Sequence, residues 1–155
     1  MPCYNLRGNR FLLWSFILFH STWYRTFQQR RSSFLCRYLD ERRHDGGKRD
    51  TYRQFIDNTK PYGSIITPLR CKSFEAAASL HDTVDFLFVD GDHSYAGVVA
   101  DIMAWLPKLS HEAVVAFHDY AWAEGVQRAV EELVWPVERS PGRLIDNTYW
   151  AIVRR

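Results

Sequence analysis

The stretch that decides the fold is DFLFVDGDHSY, residues 85–95. After Asp85, residues 86–89 form a continuous apolar run, the pattern of a strand buried on both faces of a parallel sheet. Residues 113–117, AVVAF, repeat this pattern further along the chain. Between the two runs, apolar side chains at positions 98, 102 and 105/106 predict one buried stripe on a helix over residues 94–106. The order strand, helix, strand indicates an α/β protein.

Further elements are predicted on both sides of this unit. Helices are expected over residues 52–58, 73–79 and 125–133, and a strand over residues 64–67. Residues 134–139 and 149–153 are expected to be two closing strands joined by a turn at Pro141-Gly142. The alternation predicts a doubly wound, mostly parallel sheet of the Rossmann type.

Acidic and imidazole side chains follow both central strands. They are Asp90, Asp92 and His93 after the first strand, and His118 and Asp119 after the second. Ligands of open α/β sheets bind beyond the carboxyl ends of the strands, so these groups should converge at one edge. Carboxylates brought close together repel unless a cation or proton separates them, and a carboxylate and imidazole set suits Mg²⁺, Mn²⁺, Fe²⁺ or Zn²⁺. The alternative, in which Asp90 and Asp92 form a turn and cap the helix at Ser94, is the weaker interpretation of the two clusters together.

The quoted stretch also carries a family resemblance. With DIMAWLPK at residues 101–108, VAFHDY at 115–120, GVQRAV at 125–130 and YWAIVR at 149–154, it resembles methyltransferase family 24 of the class I S-adenosylmethionine-dependent methyltransferases. It is similar to macrocin-type sugar O-methyltransferases and, more distantly, to catechol and caffeoyl-CoA O-methyltransferases. The resemblance covers about residues 51–155 and implies a Rossmann-like fold and S-adenosylmethionine as the methyl donor.

The resemblance also implies roles for single residues. Metal-dependent relatives hold Mg²⁺ with an aspartate after the fourth strand and a pair of residues after the fifth. By motif position these ligands fall here on Asp90, His118 and Asp119. The pair is His-Asp in this chain, where the catechol type has Asp-Asn. The ion would lower the pKa of a substrate hydroxyl, and Asp92 or His93 would accept its proton. Ser73 takes the position beside the adenine; its alternative role is to cap the helix that it begins.

Residues 1–47 differ from the rest of the chain. The first 50 residues hold ten basic and four acidic side chains, a net charge of +6, so the remaining residues carry −4 of the total of +2. Gly8 is the only glycine before Gly46, so the glycine-rich turn by which the family binds its cofactor is missing. Shifted by one base, codons for YLDERRHDGG at residues 38–47 can encode TWTNDAMTEG, a stretch like one that relatives carry. We therefore expect an N-terminal segment 1–47 that is disordered or outside the ancestral reading frame, and an incomplete methyltransferase domain over 48–155.

Three functions remain open. The first is metal-assisted O-methylation of a small hydroxylated molecule; the second is a non-catalytic remnant, truncated and without cofactor binding; the third is a metal-dependent phosphohydrolase that uses His81 with His118 and Asp119. The apolar run at residues 11–19 is shorter than the ~20 residues of a membrane span. We expect a cytoplasmic protein that acts on a small molecule and can form homo-oligomers. Neither nucleic acid nor a membrane is expected as a partner.

Overall fold

The structure is a computed structural model that describes residues 10–12, 33–36, 51–62 and 66–155. The strands are β1 (Arg10–Leu12), β2 (Ser33–Cys36), β3 (Ile66–Leu69), β4 (Val84–Val89), β5 (Leu109–Phe117), β6 (Arg143–Ile145) and β7 (Thr148–Arg154). The helices are α1 (Thr51–Thr59), α2 (Ser73–Ser79), α3 (Tyr95–Trp105) and α4 (Glu124–Leu133). Short 3-10 turns span Lys60–Tyr62, Leu106–Lys108 and Trp135–Val137.

These strands form one sheet in the order β3-β2-β1-β4-β5-β7-β6. Strands β1 to β5 run parallel, whereas β7 is antiparallel to both β5 and β6. The strand order reverses between β1 and β4, and ligands of doubly wound sheets bind beyond the strand ends at this point. The predicted Rossmann-like fold class is confirmed.

The central strands and helices lie close to their predicted bounds. In α3, the predicted stripe of Val98, Ile102 and Trp105 is buried, with each side chain no more than 2% exposed. In α4, Val126 and Val130 are buried in the same core. Helices α2, α3 and α4 pack side by side, so apolar periodicity identified the face that each presents to the core.

The closing hairpin differs from the prediction. Residues 134–139 do not form a strand: Trp135–Val137 is a 3-10 turn, and only Glu138 bridges to β7. Pro136 lacks the N–H that a strand ladder requires, which explains why the β-type pattern failed there. The partner of β7 is instead β6, and the chain reverses at Asp146 and Asn147 rather than at Pro141-Gly142.

The N-terminal segment contributes two strands to the sheet. Strand β1 pairs with β2 and β4, and β3 pairs with β2. Apart from these two strands, residues 1–47 lie outside the described ranges. The predictions of disorder, of a shifted reading frame and of a missing glycine-rich turn fall on those residues.

Candidate active site

The predicted cluster forms where β4 and β5 end. Val89 and Phe117 are paired neighbours at the ends of these parallel strands, and the His118 amide donates to the Val89 carbonyl at 2.9 Å. The next residues, Asp90 and His118, therefore leave the sheet side by side. Nδ1 of His118 lies 3.6 Å from Oδ1 of Asp90, so the topology brings the two sequence clusters together as predicted.

Asp119 is at the centre of the site. Its side chain is only 12% exposed, and its backbone adopts a left-handed conformation with φ of 61°. Oδ1 accepts hydrogen bonds from Trp122 Nε1 at 3.0 Å and from Asn147 Nδ2 at 2.7 Å. Oδ2 lies 2.7 Å from Nε2 of His93. The two oxygens thus have different neighbours, which gives the carboxylate one orientation.

Several neighbours also lower the pKa of the Asp119 carboxyl. Burial by itself would raise this pKa, because it penalises the charged form. The close contact with His118, the hydrogen bond from Trp122 and the electrostatic attraction of His118 and His93 together outweigh burial. Asp119 is therefore ionised and able to attract a cation or an imidazolium.

His118 contributes a buried nitrogen without a hydrogen bond. Its Nδ1 lies 3.0 Å from Oδ1 of Asp119, but among the described residues it has no partner in hydrogen-bonding geometry. An unsatisfied buried polar atom is costly, and it marks a place for a missing group. Asp90, His118 and Asp119 offer two carboxylates and one imidazole nitrogen, donor types that fit a divalent cation. The group of described residues whose ligand atoms lie close enough together to hold an ion is Asp90, His93 and Asp119.

His93 lies on the other side of the same carboxylate. Ligand atoms of Asp90, His93 and Asp119 all lie within 4.8 Å of one another. The His93 ring also meets Trp122 edge-on, with ring centroids 5.1 Å apart, and its side chain is 38% exposed. Partial exposure leaves His93 reachable by a ligand while Asp119 holds it in place.

The role of Asp92 differs from that of Asp90, His93, His118 and Asp119. Asp92 Oδ1 accepts the Ser94 amide at 2.9 Å, and Ser94 caps α3 by accepting the Gly97 amide at 3.2 Å. The helix-capping alternative from the sequence thus describes Asp92, which lies outside the compact group of Asp90, His93 and Asp119. A capping carboxylate has less freedom to accept a proton from a substrate.

Ser73 lies at the start of α2, next to the end of β3. The capping residue is Lys72, whose amide donates to Glu75 at 2.9 Å, so the expectation that Ser73 caps the helix is wrong. The Ser73 hydroxyl accepts from Trp105 Nε1 at 2.8 Å and also bonds the Asp101 carboxyl. Two of its three hydrogen-bonding positions are used by protein, which leaves one lone pair for a cofactor.

Sequence reasoning missed two residues of the site, Trp122 and Asn147. Both donate to Asp119, yet neither belongs to the strand-end motifs. Trp122 follows Asp119 by one turn of chain, and its ring is 62% exposed. Asn147 comes from the distant β6–β7 turn. Asp146-Asn147 is itself a usable signal, because both residue types tolerate the left-handed conformation of tight hairpins; Asp146 adopts it with φ of 52°.

Both the sequence and the fold are similar to those of known proteins. Residues 18–120 match the family described as a methyltransferase domain. Uncharacterized protein y4gI of Sinorhizobium fredii is 39% identical over 71 residues, 45% of this chain and 8% of that protein. Uncharacterized protein R132 of Acanthamoeba polyphaga mimivirus is 27% identical over 85 residues, 50% of this chain and 38% of that protein. The solved structure of the O-methyltransferase NovP gives a TM-score of 0.61 at 17% identity, covering 84% of this chain and 63% of that chain.

The chain belongs to the methyltransferase-domain family, and its sheet shares the fold of the O-methyltransferase NovP. It spans less than two thirds of the length of each of these three proteins. Within the described ranges, none of the helices combines the length and the apolar character needed to cross a bilayer.

Proposed function

We propose that this protein transfers the methyl group of S-adenosylmethionine to a hydroxyl of a small molecule, assisted by a divalent cation. The observation that carries the proposal is the convergence of Asp90, His118 and Asp119 beside His93, at the ends of β4 and β5. Asp90, His118 and Asp119 would hold the ion, and the free Nδ1 of His118 is its imidazole ligand. Mg²⁺ is the first candidate, and Mn²⁺ is the spectroscopic substitute because imidazole suits it.

The bound ion would supply a lowered pKa for the acceptor hydroxyl. His93 would accept the proton: when Nε2–H donates to Asp119 Oδ2 across 2.7 Å, the lone pair stays on Nδ1. Asp119 keeps the ring oriented and stabilises the imidazolium that forms. S-adenosylmethionine would supply the methyl group: the deprotonated acceptor oxygen would gain the bond to the methyl carbon that the sulfur loses, with S-adenosylhomocysteine as the other product. Asp92 is the weaker candidate for this proton, since its carboxylate accepts the Ser94 amide.

The acceptor is a small hydroxylated molecule rather than nucleic acid or a membrane surface, and the cytoplasm is the proposed location. Ser73 is the proposed contact to the adenine, through its remaining lone pair. The proposal also includes the formation of homo-oligomers by this chain.

Titration calorimetry of the full chain with S-adenosylmethionine tests the methyltransferase function. Binding in the micromolar range would support it, and no heat at millimolar ligand would refute it. Transfer of a labelled methyl group to a panel of neutral phenols and sugars, with Mn²⁺ and then with EDTA, tests metal assistance. His118→Gln should abolish the Mn²⁺ effect, whereas His93→Gln should lower the rate while leaving Mn²⁺ binding nearly intact.

A second candidate is a remnant that has kept the fold without the cofactor. Its specific support is that residues 13–32, between β1 and β2, contain no glycine, whereas the family approaches its cofactor there with a glycine-rich turn. The calorimetric experiment above decides between the two. The phosphohydrolase has no such support: His81 precedes β4 and Asp90 follows it, which separates them by about 20 Å of strand.

A further inference from the structure

Asn147 reaches the candidate site from the edge of the sheet. Strands β5 and β7 are antiparallel, and Phe117 pairs with Tyr149 at the end of their ladder. Asp119 lies two residues beyond Phe117, and Asn147 lies two residues before Tyr149, so the ladder register sets them opposite each other. The hairpin of β6 and β7 therefore continues into the loop that carries Asp119.

Three hydrogen bonds join Asn147 to this loop. Its Nδ2 donates to Asp119 Oδ1 at 2.7 Å, and its Oδ1 accepts the Ala121 amide at 3.1 Å. Its backbone carbonyl accepts the Tyr120 amide at 3.1 Å. The orientation of the side-chain amide is determined by its partners, because an ionised carboxylate only accepts and a backbone amide only donates.

Trp122 provides the second donor to the same oxygen. Its Nε1 lies 3.0 Å from Asp119 Oδ1, and Asn147 and Trp122 together form what we call the Asp119 clamp. Oδ1 therefore accepts both donors of the clamp, with His118 Nδ1 also 3.0 Å away, whereas Oδ2 faces His93 at 2.7 Å. The left-handed backbone of Asp119 costs free energy, so a carboxylate on such a backbone needs outside support to keep one orientation.

We propose that Asn147, with Trp122, is a positioning residue for the metal site: the clamp would hold the Asp119 carboxylate in the orientation that it needs as a ligand. The inference rests on the metal site of the proposed function and extends it, since the strand-end motifs include neither residue. Outer groups that orient metal ligands commonly contribute 10- to 100-fold to metal affinity, by order of magnitude. The clamp also links the β6–β7 hairpin to the site.

Mn²⁺ titration of the full chain, followed by electron paramagnetic resonance, tests the clamp. Asn147→Ala removes one donor, and Trp122→Phe removes the other while keeping a ring at a largely exposed position. Each should weaken Mn²⁺ binding by about 10- to 100-fold. The matched control is Asp146→Asn in the same turn, which keeps a residue that tolerates φ of 52° and should change affinity by no more than about twofold.

A second readout does not need the metal. The indole N–H resonance of Trp122, assigned by its loss in Trp122→Phe, should shift and exchange faster with solvent in Asn147→Ala. Unchanged Mn²⁺ affinity in both clamp variants, with native spectra, would overturn the proposal. If the wild-type chain binds no Mn²⁺, the proposed metal site is wrong. The indole resonance then tests separately whether Asn147 and Trp122 hold Asp119: a shift in Asn147→Ala supports the clamp, and an unchanged resonance overturns it.

Discussion

The left-handed backbone of Asp119 shows how much of this site depends on single residues. A non-glycine residue with positive φ is uncommon, though aspartate tolerates it better than most. The conformation turns the chain directly after β5, so that Asp119 Oδ2 meets His93 while the backbone carbonyl accepts the Ala123 amide at 2.9 Å. Neighbouring residues in ordinary conformations support it, among them Asn147.

Asp101 allows a test of electrostatics away from the metal ligands. Its carboxyl is half-buried. Burial raises the pKa of this carboxyl, the hydrogen bond with the Ser73 hydroxyl lowers it and the charge of Asp92 raises it, so that the net change is an increase. A carboxyl whose pKa is raised by folding costs stability above its folded pKa, and the cost vanishes below its unfolded pKa, near 3.8. Asp101→Asn should therefore stabilise the protein at pH 7, and the gain should disappear as the pH falls below 4.

Urea denaturation of wild type and Asp101→Asn at pH 7 and at pH 3.5 measures this difference. Asp57→Asn, at an exposed position in α1, is the control. A variant that is less stable than wild type at pH 7 would show that the carboxylate is needed for its bond to Ser73.

Tyr149 should stabilise the end of the sheet through one hydroxyl. This hydroxyl donates to Glu138 Oε2 at 2.5 Å, and burial together with Glu138 raises the pKa of Tyr149. Hydrogen bonds to charged groups contribute about 1.5–3 kcal/mol, so Tyr149→Phe should lower the free energy of unfolding by roughly that amount. The ring and its stacking on Tyr120, with centroids 4.8 Å apart, remain in this variant.

Chemical denaturation at pH 7 measures the effect, with Tyr120→Phe as the control because its hydroxyl is 3.5 Å from Glu131. Equal losses in the two variants would contradict the prediction, since only the Tyr149 bond is short and partly buried.

At the scale of elements, α4 packs tightly against the loop after β4. Gly125, in the first turn of α4, lies against the backbone of residues 93–95: a Cβ there would be 2.4 Å from the His93 carbonyl oxygen and 2.5 Å from the Tyr95 nitrogen. Backbone atoms cannot move aside as a flexible side chain can. The position of His93 in the site thus depends on a glycine in another element.

Gly125→Ala should therefore destabilise the protein although alanine favours helices. Overpacking of this kind costs about 1–3 kcal/mol, which exceeds the gain of about 1 kcal/mol in helix propensity. The melting temperature should fall, and the His93 resonances should shift in NMR spectra. Glu124→Gln, one residue earlier and exposed, is the control; an alanine variant as stable as wild type would show that α4 can move away from the loop.

Across the whole molecule, the N-terminal strands join the two sides of the sheet. Strand β3 is linked to the rest of the described sheet only through β2 and β1, and β1 covers the edge of the central strand β4. A fragment of residues 48–155 would expose the backbone of β4 along one edge and would leave β3 without its partner. Exposed edges of this kind pair with other chains.

The fragment 48–155 is therefore expected to associate, whereas the full chain keeps the β4 edge covered. Light scattering after size-exclusion chromatography compares the two at equal concentration. A monomeric fragment with the far-ultraviolet spectrum and thermal stability of the full chain would contradict this prediction. It would also support residues 48–155 as a folding unit of their own.

The sequence by itself determined the central unit of this protein. Continuous apolar runs predicted β4 and β5, a stripe with helical spacing predicted the buried face of α3, and polar residues at the strand ends predicted where Asp90, His118 and Asp119 would meet. These signals are local or depend on parallel neighbours ending at the same edge, so a linear pattern contains them. The closing hairpin was misplaced because a proline-containing 3-10 turn has an apolar composition like that of a strand.

Only the tertiary structure decided which groups support the site. Asn147 is 28 residues from Asp119 in sequence, and no motif links them; the antiparallel register of β5 and β7 brings them together. The same holds for Ser73, whose hydroxyl forms hydrogen bonds with Trp105 and Asp101 of another helix. It also holds for Gly125, which packs against the loop that carries His93. The physical reason is that hydrogen bonds and steric limits between distant segments depend on how whole elements pack, and spacing along the chain does not record that packing.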